Sequence, residues 1–214
     1  MPLIAEPADD AERRINAALL RLDGNVRKAA ACKAEGGAHS WWERTVDTTM
    51  RGPRFLSLTI TDNVFCGGGH PNASTMAIVY DLTTGAPVDW TTLLPPALTG
   101  TVSLAIGADE AKMVTLASKR LYALYLKGYR PRMGDRKVDG DDEECREAAA
   151  QAGSGGLPAM MAWLDAKAGG LAVQFDLPHA IQACADPVVV PVATLRQEGA
   201  KLLLTDALDA ARPE

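Results

Sequence analysis

Histidine and cysteine side chains are the residues of this chain best suited to chemistry, and four of them form two short-range pairs. His70 follows Cys66 by four residues, and Cys184 follows His179 by five. Two thiolates and two imidazoles suit a tetrahedral structural zinc site if the two loops meet. Both spacings are wider than the usual short zinc knuckle, however, so we expect no metal here.

Patterns for hydrolysis or phosphate binding are weak. The chain has three histidines and no Gly-x-Ser-x-Gly motif beside them. A glycine run at 67–69 leads through Pro71 into a predicted strand, whereas a phosphate-binding loop leads into a helix N-terminus. We therefore expect a protein that is not an enzyme and has no cofactor. A hydrolase that uses His70 or His179 as its base is the alternative.

The elements that would position these residues lie between Phe55 and Pro95. Apolar and polar side chains alternate over 55–62 and again over 74–80, which predicts two strands. A turn at 81–85 and a partner strand at 88–93 follow. Together with helices elsewhere, this pattern predicts an α+β fold in which an antiparallel meander sheet packs against two or three helices.

Periodicity extends the prediction to the rest of the chain. Helices are expected at 9–31, with a break at Gly24, and at 109–127, 141–151 and 194–211. Strands are expected at 45–50, at 160–165 and 171–177 as a hairpin, and at 188–192. Most of the chain after Pro95 is expected to form covering helices with one returning strand. Residues 1–43 would form a helical segment that packs on a main domain at 44–214.

Two adjacent tryptophans precede the predicted strand at 45–50. Neighbouring residues of a strand point to opposite faces, so one indole could be exposed and stack on sugars or anchor a partner. Because large aromatic side chains are mostly buried, we expect Trp41 and Trp42 both to fill the edge of the core.

Composition limits the class of partner. The 214 residues carry a net charge of −5, which argues against nucleic-acid binding and favours a cationic partner. No run approaches the roughly 20 apolar residues of a membrane span. Residues 1–7 are too short and too acidic for a signal peptide. The chain is therefore either cytosolic or a mature exported form from which the signal was removed.

Four cysteines, none in a Cys-x-x-Cys pair, bear on that choice. An even number of well-separated cysteines predicts two disulfides in an oxidising compartment, and four reduced thiols in a cytosolic protein are the alternative. Of the three possible connectivities, we favour Cys32 with Cys66, which flank the start of the sheet. The other pair would be Cys145 with Cys184, tying a loop to the returning strand.

Two segments resemble a bacterial envelope domain family of unknown function. The first is the strand with its Gly-Gly-x-His-Pro-Asn-like loop at 67–72 and the strand, Thr-Gly turn and Leu-Leu segment that follow. The second is the strand at 170–179 with the Val-rich strand at 188–192. That family includes the lysozyme-sensing domain of an anti-sigma factor and the non-catalytic N-terminal region of some peptidoglycan deacetylases. The resemblance covers roughly 44–197. Pro178, His179 and Cys184 depart from the family's loop pattern.

The resemblance implies a periplasmic or otherwise extracytoplasmic domain with a binding role. Its partner would be a lysozyme-like muramidase, usually cationic, or cell-wall peptidoglycan. The expected contact surface comprises Gly68, Gly69, His70 and Asn72 with the facing loop at His179. A structural accessory domain of the envelope is a further alternative.

Overall fold

The computed structural model describes residues 1–29, 39–67, 71–106, 112–130 and 141–212. Within them the chain forms two antiparallel sheets, which confirms the α+β class. The first sheet has the order β1-β2-β3, with β1 at Trp41–Arg51, β2 at Phe55–Phe65 and β3 at Asn72–Asp81. The second sheet has the order β4-β5-β6-β7-β8, with β4 at Thr101–Ile106, β5 at Lys112–Ala117, β6 at Met160–Asp165, β7 at Gly170–Gln174 and β8 at Val188–Pro191.

Seven α-helices and a 3₁₀ helix in the described residues connect and cover these sheets. They are α1 at Asp10–Ala29, α2 at Trp90–Leu93, α3 at Pro96–Thr99, α4 at Lys119–Gly128, α5 at Asp141–Gln151, the 3₁₀ helix at His179–Cys184, α6 at Val192–Gln197 and α7 at Leu202–Ala210. The predicted bounds of α5 and β6 are those observed. The C-terminal helix expected at 194–211 is instead two helices, because the chain turns at Gly199 with a positive φ of 88°.

The first sheet is covered on both faces, because each parity of β2 packs against a different part of the molecule. Leu56 and Leu58 pack against Ile15 and Leu19 of α1. Phe55, on the opposite parity, belongs to the main core, which also contains the buried residues of the second sheet. Helix α1 is continuous, and the break predicted at Gly24 does not occur. The boundary predicted between residues 43 and 44 stays a prediction.

The two sheets are joined where β6 approaches β1 and β2. The buried Ser57 hydroxyl oxygen accepts hydrogen bonds from the Leu164 amide at 3.0 Å and from the Thr49 hydroxyl at 2.9 Å. The Thr49 carbonyl accepts a hydrogen bond from the Ala166 amide at 3.0 Å. A serine side chain therefore satisfies a backbone amide of β6 that would otherwise be buried without a partner.

Two predicted elements are wrong in type. The segment 88–93 ends in the short helix α2 instead of continuing as a strand, because the Asp89 carboxylate accepts the Thr91 amide and caps a helical turn. Residues 112–117, expected to be helical, form strand β5, and 119–128 are helical. Short apolar runs fit helix and strand periods equally well. Strand β5 and the unpredicted β4 join the three strands expected at 160–165, 171–177 and 188–192 in one five-stranded sheet.

Candidate functional site

The residues predicted to form a contact surface are only partly described. Asn72 is exposed and begins β3, at one end of the first sheet. Gly68, Gly69 and His70 lie outside the described residues. His179 begins the 3₁₀ helix, but its side chain is not among those described. The contact surface expected from these residues therefore stays a prediction.

The three cysteines within the described residues are disulfide-bonded. Cys145 of α5 is bonded to Cys184 at the end of the 3₁₀ helix, with their Cα atoms 5.0 Å apart, as predicted. Cys66 is also disulfide-bonded, and its expected partner Cys32 lies outside the described residues. Both thiols required by the zinc arrangement are thus oxidised. Their sulfur atoms are not available as the thiolate ligands that zinc needs.

A groove of about 570 Å³ lies between the β4–β5 strand pair and the disulfide-linked wall made by α5 and the 3₁₀ helix. Its lining is largely apolar and is drawn from five separate parts of the chain. It includes Ala105 of β4, Met113 of β5, Met161 of β6, Phe175 after β7 and Ile181 of the 3₁₀ helix. Apolar concave surfaces of this size are typical of binding sites.

Buried tyrosines hold the α5 wall in place. The Tyr122 hydroxyl of α4 donates to the Ala149 carbonyl of α5 at 2.6 Å and accepts from the Gly153 amide at 3.1 Å. The Tyr129 hydroxyl donates to the Cys184 carbonyl at 2.6 Å. Burial raises the pKa of Tyr122 above that of a free phenol, so the hydroxyl keeps its proton and remains a donor. These hydrogen bonds and the disulfide hold α5 and the 3₁₀ helix in place, so the groove exists without a bound partner.

The rim of the groove carries negative charge. Asp176 is exposed and contributes to the lining. Glu144 is exposed and lies one helical turn before the lining residue Ala148, so both point to the same side of α5. Its neighbour Glu143 is rotated by about 100° from Glu144 around the helix and is also exposed. A cationic group above the apolar floor would approach the carboxylates of Asp176 and Glu144.

The groove offers little for catalysis among the residues that line it. Its described lining contains no histidine, and its polar side chains are Thr115, Gln151 and Asp176. Across the described parts of the chain, no group of three or more His, Cys, Asp or Glu side chains could hold a metal ion. The arrangement is suited to holding an apolar surface with adjacent positive charge.

The tryptophan pair lies away from this groove, at one end of β1. Trp41 is 43% exposed and pairs with Phe65, whereas Trp42 is half-buried and donates its indole N–H to Asp62 at 2.9 Å. Asp62 also holds Arg44 in a buried ion pair. The expectation that both indoles fill the core is wrong, because strand alternation sends them to opposite faces and Asp62 holds only one.

The groove residues were missed because they are far apart in sequence. Residues 105 and 181 line one groove because the second sheet and the Cys145–Cys184 disulfide hold distant parts of the chain together. The acidic start of the helix at 141–151 was a usable signal, but on its own such a run usually marks a solvated face.

No helix in the described ranges is long and apolar enough to cross a membrane. No protein-family model matches the chain, and the search of curated proteins found no match to it.

The chain is similar in structure to a crystal structure of a member of the DUF3298 family from Bacteroides fragilis. The TM-score is 0.52 at 16% sequence identity, and the match covers 92% of this chain and 68% of that one. At this identity the likeness concerns the fold alone. The chain therefore shares its overall fold with a DUF3298 family member.

Proposed function

We propose that this chain is a non-enzymatic, extracytoplasmic binding domain and that its groove receives a cationic, lysozyme-like muramidase. The observation that carries the proposal is an apolar groove whose lining includes the exposed Asp176, with the exposed Glu144 one helical turn before the lining residue Ala148. The net charge of −5 acts in the same direction, since it would speed the approach of a positively charged protein.

The disulfide supports the extracytoplasmic part of the proposal. Cys145–Cys184 links two elements of the groove wall and is buried. Structural disulfides form and persist where the environment is oxidising, and cytosolic thiols are usually kept reduced. A binding site whose wall depends on a disulfide suits a protein that works outside the cytoplasm.

A protein partner suits the groove better than a glycan does. Sugars stack on exposed aromatic faces, whereas Phe175, the aromatic residue in the lining, is buried. Peptidoglycan binding is the second candidate, and a different observation favours it. Trp41 is exposed beside Phe65 on the first sheet, where a sugar ring could stack.

The test is calorimetric titration of a lysozyme-type muramidase into three proteins: the unmodified chain, Glu144→Lys and Glu143→Lys. Reversing a charge at the rim should weaken binding by about 5-fold, since rim ion pairs contribute up to about 1 kcal/mol. Glu143→Lys changes net charge and helix electrostatics equally but lies off the groove face, so it should have a smaller effect. No binding by the unmodified chain, or equal effects of the two substitutions, would contradict the proposal.

A parallel sedimentation assay with insoluble peptidoglycan separates the candidates. Retention of the chain on peptidoglycan that is lost in Trp41→Ala, without muramidase binding, would favour the glycan. Release of soluble fragments from the peptidoglycan would favour the hydrolase alternative based on His70 or His179.

A further inference from the structure

Strand β4 forms an edge of the second sheet and presents an apolar row. It pairs with β5, and no other described strand lies on its outer side. Val102, Leu104 and Ile106 share one face because side chains alternate along a strand. They are 41%, 55% and 66% exposed, respectively. Exposed apolar side chains next to unpaired backbone groups form a template for another strand.

Strands β1 and β8, which are also sheet edges, carry features that discourage pairing, and β4 does not. Strand β1 includes Glu43 and Asp47 and has a register shift between Thr48 and Met50. Strand β8 is four residues long and ends at Pro191. Charges, bulges, short length and proline are the usual protections of sheet edges. The six residues of β4 contain no charge and no proline, and its pairing with β5 has no register shift.

We propose that β4 pairs antiparallel with β4 of a second copy of this chain, with Leu104 opposite Leu104. In this register Val102 lies opposite Ile106 of the second copy, and Ser103 lies opposite Ala105. Directly opposed residues share a face, so apolar side chains meet apolar ones and small residues meet small ones. A shift of one residue would set the apolar row against small or polar residues. An uncharged strand also meets its own copy without repulsion.

The space beside the row fits this arrangement. Leu104 lines a cleft of about 220 Å³ between the β4–β5 pair and the first sheet, together with Val79 and Val114. Apolar side chains of the second copy would extend over this cleft. One strand edge buries less than the roughly 800 Å² per partner of a standard stable interface, so the dimer should be weak and concentration-dependent.

The test is sedimentation velocity of the full chain between about 10 µM and 1 mM, a range in which weak association is measurable. The unmodified chain should shift from monomer to dimer. Leu104→Lys and Leu104→Glu should each stay monomeric, because like charges would face each other across the two-fold axis. An equimolar mixture of the two variants should dimerise again, because the introduced lysine of one would then face the introduced glutamate of the other. Leu203→Lys, at a 46% exposed position on α7, is the control and should dimerise like the unmodified chain.

Circular dichroism of each variant establishes that it is folded. A chain that is monomeric over the whole range would overturn the proposal and leave the β4 edge to a different partner. Dimerisation that Leu104→Lys does not change would place the interface elsewhere. Failure of the mixed variants to associate would overturn the two-fold register on Leu104.

Discussion

The two sheets differ in how their faces and edges are covered. In the first sheet the central strand β2 packs between α1 and the main core, and β1, one of the sheet's two edges, carries charged residues and a register shift. The second opens at the β4–β5 pair, where one side borders the groove and the outer edge lacks such protection. The first sheet therefore acts as a scaffold, and the second provides the surfaces available for partners. Four predictions test whether this division is correct.

The largest effect is expected from removing the disulfide behind the groove. Replacing Cys145 and Cys184 together by serine frees a segment with a sequence separation of 39. The chain-entropy cost corresponds to about 4 kcal/mol of unfolding free energy. Urea unfolding measures the loss. A change below about 1 kcal/mol would mean that the wall does not depend on the disulfide.

In the first sheet, we expect the largest loss of stability from a substitution in the buried Arg44–Asp62 ion pair. Asp62→Asn removes the carboxylate charge that pairs with the Arg44 guanidinium in a buried setting. We expect a loss of about 3 kcal/mol in unfolding free energy. Asp209→Asn, which disrupts an ion pair with the exposed Arg196, is the control, with an expected loss below about 1 kcal/mol. Similar losses in both variants would contradict the importance of burial.

Ser57→Ala should lower the free energy of unfolding, because Ser57 connects the two sheets. The substitution leaves the buried Leu164 amide without its acceptor, which costs about 2 kcal/mol. Ser103→Ala, at an exposed position of β4, should change stability by less than about 0.5 kcal/mol. Equal stabilities of the two variants would show that the sheets are held together without this hydroxyl.

The smallest effect is expected in the pH dependence of stability that the Arg120–Glu198 ion pair contributes. The Arg120 guanidinium donates to Glu198 at 2.9 Å, and this hydrogen bond lowers the pKa of the Glu198 carboxyl. A carboxyl group whose pKa is lowered on folding stabilises the folded state at pH values above the ordinary glutamate pKa of about 4.3. This contribution is lost as pH falls through the lowered value. Arg120→Gln should therefore reduce the melting temperature slightly at neutral pH, and the difference should shrink as the solution becomes acidic. A difference that grows on acidification would contradict the assignment.

The scaffold was largely predictable from local patterns, and the groove was not. Strands β2 and β3 alternate regularly, and α1 has an apolar stripe, so local periodicity was sufficient. The β4–β5 pair consists of six-residue strands whose apolar residues fit either period. The groove depends on which distant elements the Cys145–Cys184 disulfide and the tyrosine hydroxyls bring together. Such contacts leave no periodic signal in the sequence.

The most direct test of the account is hydrogen exchange of the chain with and without a lysozyme-type muramidase. If the groove is the binding site, backbone amides of β4, α5 and the 3₁₀ helix should gain protection, while those at the Trp41 end of the first sheet should not. Protection confined to the first sheet, or none at saturating muramidase, would contradict the assignment of the groove as the partner site.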